Sequence, residues 1–423
     1  MGVSRGRQAP YVAALVAVFA GSFAVRVPLW VASFGISSSL SFRAPAATKH
    51  GVSSRIARVG CFGSASAVIG RPGGRTPRPL PPWKDPGRSQ LVAEFLGEPQ
   101  KQLVELPLEH QSGSVLVTSH AASESSAPPG TPDGTTQEWR VMKFRPKGGD
   151  FAMLQSVTKV CMYELREWLR SEALPVPYVR SLISVVLSGL YVLGAPVLPR
   201  EAEKTTEPLR ILCVGLGGGS VPAFLAERLP HCEVDVVELE QAVLDAASEH
   251  MGFVPSPRLR VFVEDAAVFA LQSAEQNAQE GGDGVYDAVI LDAYDPAGDM
   301  PAVFWTEGSP FLQALQKGLL KKRGGVLAAN FAAIVDLPPK LKAYREALPE
   351  GLAGLGFSVE AEDAGRQNRI LVQTCGGASA IEDLREMGER MTAATTRIRE
   401  ATKCPFYMSG LAARNIREES AER

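Results

Sequence analysis

Apolar and polar positions fall into a regular order only from Arg210 onward. There the short apolar run Ile211–Val214 enters Gly215-Leu-Gly-Gly-Gly-Ser220, and helical spacing follows over Val221–Leu229, with Pro222 in the first turn. Apolar runs recur at Val234–Val237, Leu259–Val263, Tyr286–Leu291 and Gly325–Phe331, separated by helical stretches at Gln241–Met251, Ala266–Ala274 and Phe311–Leu320. Strand and helix in alternation predict βαβ units on a parallel sheet. Upstream, Trp139–Phe144 and Phe151–Val160 flank Pro146-Lys-Gly-Gly-Asp150 and predict a β-hairpin. The apolar segment Pro177–Leu193 is long enough for a buried helix. Ala121–Thr136, rich in Ser, Pro, Gly and Thr, reads as a linker or long surface loop, and no internal repeat is visible.

Charge separates the N-terminus from the rest. Eleven of the 44 Lys and Arg residues precede the first acid, Asp85, so the remaining chain carries 33 basic against 46 acidic residues, a net of −13. An acidic body argues against a general nucleic-acid binder, which needs basic surface to displace counterions. Arg5 and Arg7 stand before the uncharged run Tyr11–Val25, which is shorter than a membrane span of about 20 residues and suits a signal-peptide core. The Ser-, Ala-, Arg- and Pro-rich stretch that follows has the composition of a transit peptide. A signal peptide followed by such a stretch resembles the bipartite leader of complex plastids, with Phe42 as the residue opening its second part. A mitochondrial presequence, or an N-terminal membrane anchor continued by Val27–Phe34, are the alternatives. The domains expected are a leader (1–90), a weakly structured linker (91–137), a β-hairpin and helix (138–200), an α/β catalytic domain (201–380) and a C-terminal helical tail (381–423). Six dispersed Cys without a CxxC pair suit buried thiols rather than a zinc ribbon or disulfide framework, and five scattered His offer no His-rich metal site.

The chemistry is expected at the carboxyl ends of the strands. Glycines after the first strand allow close ligand approach and positive φ, although a glycine run alone also fits a tight structural turn. Glu238 ends the second strand, 23 residues beyond Gly215, where a carboxylate can accept hydrogen bonds from a ribose diol; a solvated strand-end acid is the bland alternative. The third strand ends in Glu264-Asp265-Ala266, where an adenine amine could be read, and the fourth in Asp292-Ala-Tyr-Asp295-Pro. Acids at successive strand ends converge on one crevice, the place where such sheets bind nucleotide-like ligands. The turn lacks the final spaced glycine of GxGxxG, which points to S-adenosylmethionine rather than a nicotinamide dinucleotide. Cys213, Cys232, Tyr286 and Phe331 are expected in the core, and Lys317, Lys321, Lys322 and Arg323 at a helix C-terminus.

Residues 139 to about 410 resemble the C-terminal methyltransferase half of methyltransferase-like protein 13, an elongation-factor methyltransferase, and more distantly the spermidine/spermine synthases. The resemblance rests on VGLGGGSVPAFL (214–225), VDVVELEQAVLDAA (234–247), YDAVILDAYDP (286–296), SPFLQALQKGLLKKRGGVLAANF (309–331) and Gln155-Ser156. It implies a class I S-adenosylmethionine-dependent methyltransferase fold, Rossmann-like with a mostly parallel sheet. It further implies that Gly215, Gly217 and Gly219 line the methionine part, that Glu238 with Leu239 holds the ribose, and that Asp265 with Ala266 holds the adenine. Asp292 falls on the acidic catalytic position of the polyamine synthases and Asp295 on a substrate-amine ligand. Those enzymes carry an Asp in the glycine loop, where this chain has Gly218. The stretch Tyr178–Leu190 does not show the acidic and aromatic residues they place near the substrate. A diamine needs a carboxylate at each end, since an unpaired buried ammonium is costly. The expectation is therefore methyl transfer to a protein amine, a Lys or an N-terminus, with aminopropyl transfer and a non-catalytic scaffold as alternatives. Asp292 or Asp295 would orient the amine and take its proton, with Tyr294 lining the channel; Asp295-Pro296 also fits a plain loop-start turn. The partner is a protein acceptor, with no nucleic acid, no metal and no stable membrane insertion of the mature chain; a homodimer stays open.

Overall fold

The structure is a computed structural model that describes residues 99–419 apart from 123–129, 150–151, 204, 206, 333, 363–367, 378–380 and 382. The leader expected over 1–90 lies outside the described residues. The described residues belong to one compact unit, Thr76–Arg423. Five strands, β1 (Lys101–Pro107), β2 (Gly113–Ala121), β3 (Thr136–Pro146), β4 (Met153–Tyr163) and β5 (Arg166–Leu169), form an antiparallel sheet in sequence order. The hairpin expected around Pro146–Asp150 is β3–β4. Helix α1 (Pro177–Val192) then leads into the second sheet.

That sheet is built from β6 (Leu209–Val214), β7 (Cys232–Glu238), β8 (Leu259–Val263), β9 (Ala288–Leu291), β10 (Gly325–Ala332), β11 (Ala353–Glu360), β12 (Asn368–Cys375) and β13 (Arg417–Glu418). Its spatial order is β13-β11-β12-β10-β9-β6-β7-β8, with β10, β9, β6, β7 and β8 parallel and the remaining strands antiparallel. The helices α2 (Ser220–Arg228), α3 (Gln241–His250), α4 (Ala266–Gln279), α5 (Pro310–Gln316), α6 (Pro338–Ala347) and α7 (Leu384–Thr402) cover both faces. Ile211, Cys213, Val234, Val236, Ile290 and Ala328 pack toward α1, α2, α3 and α7. Leu212, Val214, Val237, Leu291 and Ala329 pack toward α4, α5 and α6. Burial on both faces is why these strands read as unbroken apolar runs. This is the Rossmann-like, mostly parallel α/β fold expected. Its chain order reverses between β6 and β9, so the carboxyl ends of those two strands frame the crevice.

Three regions differ from the sequence reading. Residues 101–107 and 113–121, placed within a linker, are the paired strands β1 and β2; Val115 and Val117 enter the main core beside Met142 and Phe144. The Ser/Pro/Gly-rich stretch is only the connection between β2 and β3. The C-terminal segment is not an appendage either. Asp383 caps α7 by accepting the Glu386 N–H at 2.8 Å, and Met387, Met391, Ala394 and Ile398 are buried. The chain then returns to add β13 to the sheet edge. Lys317 stands at the C-cap of α5 as expected, and the basic cluster also pairs across elements: Lys317 with Glu275 at 3.3 Å, Lys321 with Asp287 at 3.0 Å and Arg323 with Asp283 at 3.7 Å. Among the described residues no helix is long and apolar enough to cross a membrane.

Candidate active site

One cleft lies along the carboxyl ends of β6, β7, β8 and β9. Its floor is the loop after β6. Gly215 has φ +91°, and a Cβ there would stand 2.6 Å from the Asp292 carbonyl; the Asp292 N–H in turn donates to the Val214 carbonyl at 3.0 Å. Only glycine lets the ends of β6 and β9 approach this closely. Gly217, at φ +51°, also lines the cleft. Gly219 does not: it starts α2 at φ +79°, and a Cβ would run into the Phe253 ring. Its positive φ turns the chain into the helix.

The strand-end acids reach the same cleft in different states. Glu238 is buried, with Oε2 accepting the Leu216 N–H at 2.9 Å and Oε1 the Glu240 N–H at 3.1 Å. Burial pushes its carboxyl above the usual range, and the amides of Leu216, Glu240 and Leu239 pull the other way. Asp265 caps α4, its Oδ1 accepting from Ala267 at 2.8 Å and Val268 at 3.1 Å, while Oδ2 has no hydrogen-bond partner among the described residues. Leu239 and Ala266 line the cleft beside these two acids. The residues expected to hold a nucleoside are thus gathered on one side.

Asp292 is the most constrained of the three acids. Tyr178 Oη donates to its Oδ2 at 3.1 Å and Asn330 Nδ2 to its Oδ1 at 2.9 Å. Asn368 Nδ2 donates to Asn330 Oδ1 at 2.9 Å, and Tyr294 Oη donates to the Asn330 carbonyl. Burial pushes the Asp292 carboxyl up to about 6 against the lowering effect of Asn330 and Tyr178. Sequence reasoning alone misses Tyr178, Asn330 and Asn368. Tyr178 opens the very stretch read as lacking aromatic residues near the site, and Asn330 is the single polar residue of the run Val326–Phe331.

Asp295, expected as a second proton-handling or amine-binding acid, does not line the cleft. Its Oδ1 accepts the Asp299 N–H at 2.9 Å and its own N–H donates to the Asp299 carbonyl at 2.9 Å, so the side chain closes its own Pro-bearing loop. Tyr294 lines the cleft as expected. Cys213 also borders it, but burial pushes its thiol far up, which leaves it protonated and inert. Cys232, Tyr286 and Phe331 are core residues.

Further lining comes from β3 (Phe144), β4 (Gln155 and Ser156), the segment entering α1 (Leu174 and Val176) and α1 itself (Val179). Gly218 sits where this lining meets the glycine loop. A Cβ there would lie 2.8 Å from Met251 Cε, 2.8 Å from Ser156 Oγ and 3.1 Å from Thr158 Cγ2. A side chain at 218 would have to shift the ends of these three neighbours.

No family model matches the chain. It is 27% identical over 262 residues to the polyamine aminopropyltransferase of Vibrio vulnificus, covering 61% of this chain and 73% of that protein. It is 34% identical over 107 residues to the eEF1A lysine and N-terminal methyltransferase of Bos taurus, covering 25% of this chain and 14% of that protein. With the Xenopus laevis counterpart it shares 30% over 154 residues, 36% of this chain and 20% of that protein. The chain therefore spans a fifth or less of these methyltransferases. The solved structure of human methyltransferase-like protein 13 in complex with SAH is 26% identical at a TM-score of 0.41, over 53% of this chain and 92% of that one. Spermidine synthase from Thermotoga maritima is 13% identical at a TM-score of 0.37, over 74% of this chain and 96% of that one. The chain is thus similar to both groups that its motifs resemble.

Proposed function

We propose that this protein is an S-adenosylmethionine-dependent methyltransferase acting on a protein amine. The observation that carries the acceptor class is the makeup of the cleft. With Glu238 and Asp265 assigned to the nucleoside, Asp292 is the one further carboxylate lining the cleft among the described residues, and the same cleft is lined by the apolar Phe144, Leu174, Val176 and Val179. Such a site suits one amine on an aliphatic stem, as in Lys, or a chain N-terminus. A diamine would leave its second ammonium without a carboxylate. Gly218 supports the same choice, because it lacks the acid that polyamine synthases carry there and the ends of Met251, Ser156 and Thr158 pack close to it.

The residues fit S-adenosylmethionine. The loop at Gly217 offers a backbone approach, Glu238 holds a carboxylate at the strand end, and Asp265 keeps Oδ2 available beside Ala266. When bound, this cosubstrate supplies a methyl group already activated by its sulfonium. Glu238 would hold the ribose hydroxyls, and Asp265 with Ala266 the adenine edge. Asp292 would accept the ammonium of the incoming amine, align it and take up its proton so that the nitrogen attacks neutral. Tyr178 and Asn330 keep both oxygens of Asp292 in place, and the apolar lining limits water at the nitrogen.

Aminopropyl transfer is the second reading, favoured by the longer stretch of likeness to the polyamine aminopropyltransferase. Product analysis separates the two. The full chain should release S-adenosylhomocysteine from S-adenosylmethionine in the presence of a protein acceptor drawn from its own cells. It should not release methylthioadenosine from decarboxylated S-adenosylmethionine and putrescine. Robust methylthioadenosine release would replace the first reading with the second. For the address, a basic leader without acids before Asp85 supports import into a plastid through a bipartite signal. A fluorescent fusion of residues 1–90 that stays in the secretory pathway or enters mitochondria would overturn that assignment.

A further inference from the structure

One side of Asp292 is held by two residues in series. Asn330, buried in β10, donates from Nδ2 to Asp292 Oδ1 at 2.9 Å, and its own Oδ1 accepts from Asn368 Nδ2 at 2.9 Å. Neither Asn330 nor Asn368 is among the described residues that line the cleft. Strand register brings the second to the first. β10 and β12 run antiparallel, with Asn330 opposite Ile370 and Ala332 opposite Asn368, so the two Asn side chains are diagonal neighbours on one face. The strand end that carries Asn368 is itself fixed, since the Ala361 N–H donates to the Asn368 carbonyl at 2.9 Å. Glu362, the next residue, ties this end to α1: its N–H donates to Ser181 Oγ at 2.7 Å, and its Oε2 accepts from Arg180 Nε at 3.0 Å.

A side-chain amide has an acceptor on one side and a donor on the other, and a half-turn exchanges them. With Asn330 turned, its oxygen would face Asp292 Oδ1, and two acceptors in contact disfavour the charged carboxylate. Tyr294 donates to the backbone carbonyl of Asn330 and so does not select between the two orientations. Asn368 does select, because turning the Asn330 amide would set one NH2 against another. We propose that Asn368 is a positioning residue for Asp292, ordering the Asn330 amide so that a donor rather than an acceptor meets the acid. The antiparallel hairpin β11–β12 thereby supports chemistry that stands at the end of a parallel strand. The proton-accepting role of Asp292 rests on the function proposed above, whereas its ordering by Asn368 rests on the hydrogen bonds alone.

The charge state of Asp292 reports which face of the amide it meets. Among the described residues, the other titratable groups that act on it are Tyr178 on α1, Tyr294 after β9 and Cys213 on β6. Burial pushes all three above their ordinary ranges, so they stay neutral. Denaturation of the full chain across pH reads the charge state with no acceptor present. The carboxyl is raised from 3.8 to about 6, so the stability it contributes is present below the unfolded value and declines as pH rises through about 6. Asn368→Leu should move that decline upward by roughly half a pH unit or more, because the acid loses an ordered donor. Groups titrating elsewhere cancel in the difference between the two curves. A deficit equal at every pH would make Asn368 a structural residue only and overturn the proposal. Asn330→Leu should move the decline at least as far, and adding Asn368→Leu to it should move it no further. A second, additive shift would also overturn the proposal. If Asn368→Leu fails to fold, Asn368→Ala carries the same measurement. The expected shift, together with a wild-type chain that releases no S-adenosylhomocysteine, would support the ordering of Asp292 and remove the methyl-transfer reading.

Discussion

The two walls of the cleft are made by different means. The wall at the parallel strand ends is backbone-driven: β6 and β9 meet at Gly215, and Glu238, Asp265 and Asp292 stand where their strands stop. The opposite wall is assembled from separated pieces, the β1–β2 turn, β4 and α1, carried there by packing between sheets. The first wall holds three acids in the cleft, and the second is mostly apolar with Gln111, Gln155, Ser156 and Tyr178. The charges of the cleft are therefore set by the parallel sheet, whereas much of its apolar lining comes from the N-terminal elements.

Asp292→Asn puts this division under the greatest strain. If proton handling lives at the strand end, turnover should fall roughly 100-fold or more. The same variant should be more stable than wild type near neutral pH. The carboxyl is raised from 3.8 to about 6, so the native state binds its proton more tightly than the unfolded chain. The resulting stability is fully present below the unfolded value and is lost as pH rises through about 6. Each tenfold difference in proton affinity between the two states is worth about 1.4 kcal/mol. Removing the charge should therefore recover roughly 1–3 kcal/mol above that pH. Wild-type turnover should fall on acidification through about 6 as the carboxylate is protonated. Denaturation curves and pH–rate profiles check both signs. A variant that lost stability without losing turnover would make Asp292 a structural residue.

Next in size is Glu238→Ala, which should weaken S-adenosylmethionine binding by about 1–3 kcal/mol. Leu216 and Glu240 lose the oxygens that their amides now meet, so part of this loss should come from the loop itself. Unchanged affinity by calorimetry would remove the ribose assignment. Gly218→Asp probes the seam between the walls. Its new side chain must displace Ser156, Thr158 or Met251 and should cost roughly 1–3 kcal/mol of stability. It should also fail to confer methylthioadenosine release with putrescine. A stable variant with that activity would show the seam to be pliable and the acceptor choice to depend on one side chain.

The unequal legibility of the two walls has a physical origin. Strands buried on both faces write themselves as apolar runs, and a positive-φ turn writes itself as glycine, so β6 to β10 and the loop after β6 can be read directly. Val115 and Val117 lie in an equally ordered strand, yet β1 and β2 sit beside a Ser/Pro/Gly-rich connection whose composition masks them. The antiparallel strands β11 and β12 and helix α6 carry no motif and escape a reading by pattern. Asn330 is visible as the polar interruption of an apolar strand, but its partners lie 38 residues away on either side. Tyr178 reaches Asp292 across 114 residues of sequence. Such contacts are fixed by how strands are ordered in space, which local pattern does not encode.

Asp295 gives the smallest effect and the finest test, because sequence spacing alone makes it the equal of Asp292. Both follow β9, three residues apart, and only one lines the cleft. Asp295 spends Oδ1 on the Asp299 N–H, within a loop whose other links are the Asp295 N–H to the Asp299 carbonyl and the Gly298 N–H to the Asp295 carbonyl, each 2.9 Å. Asp295→Asn keeps an oxygen that can accept the same N–H, so kcat and the acceptor KM should both stay within about twofold of wild type. Asp295→Ala removes the acceptor and should loosen the loop by about 0.5–1.5 kcal/mol, read as a lower denaturation midpoint. A large rise in acceptor KM for Asp295→Asn, with stability unchanged, would mean that the loop opens and the carboxylate swings to the acceptor. The division between the walls would then fail at this point, since a loop following the parallel sheet would be selecting the substrate.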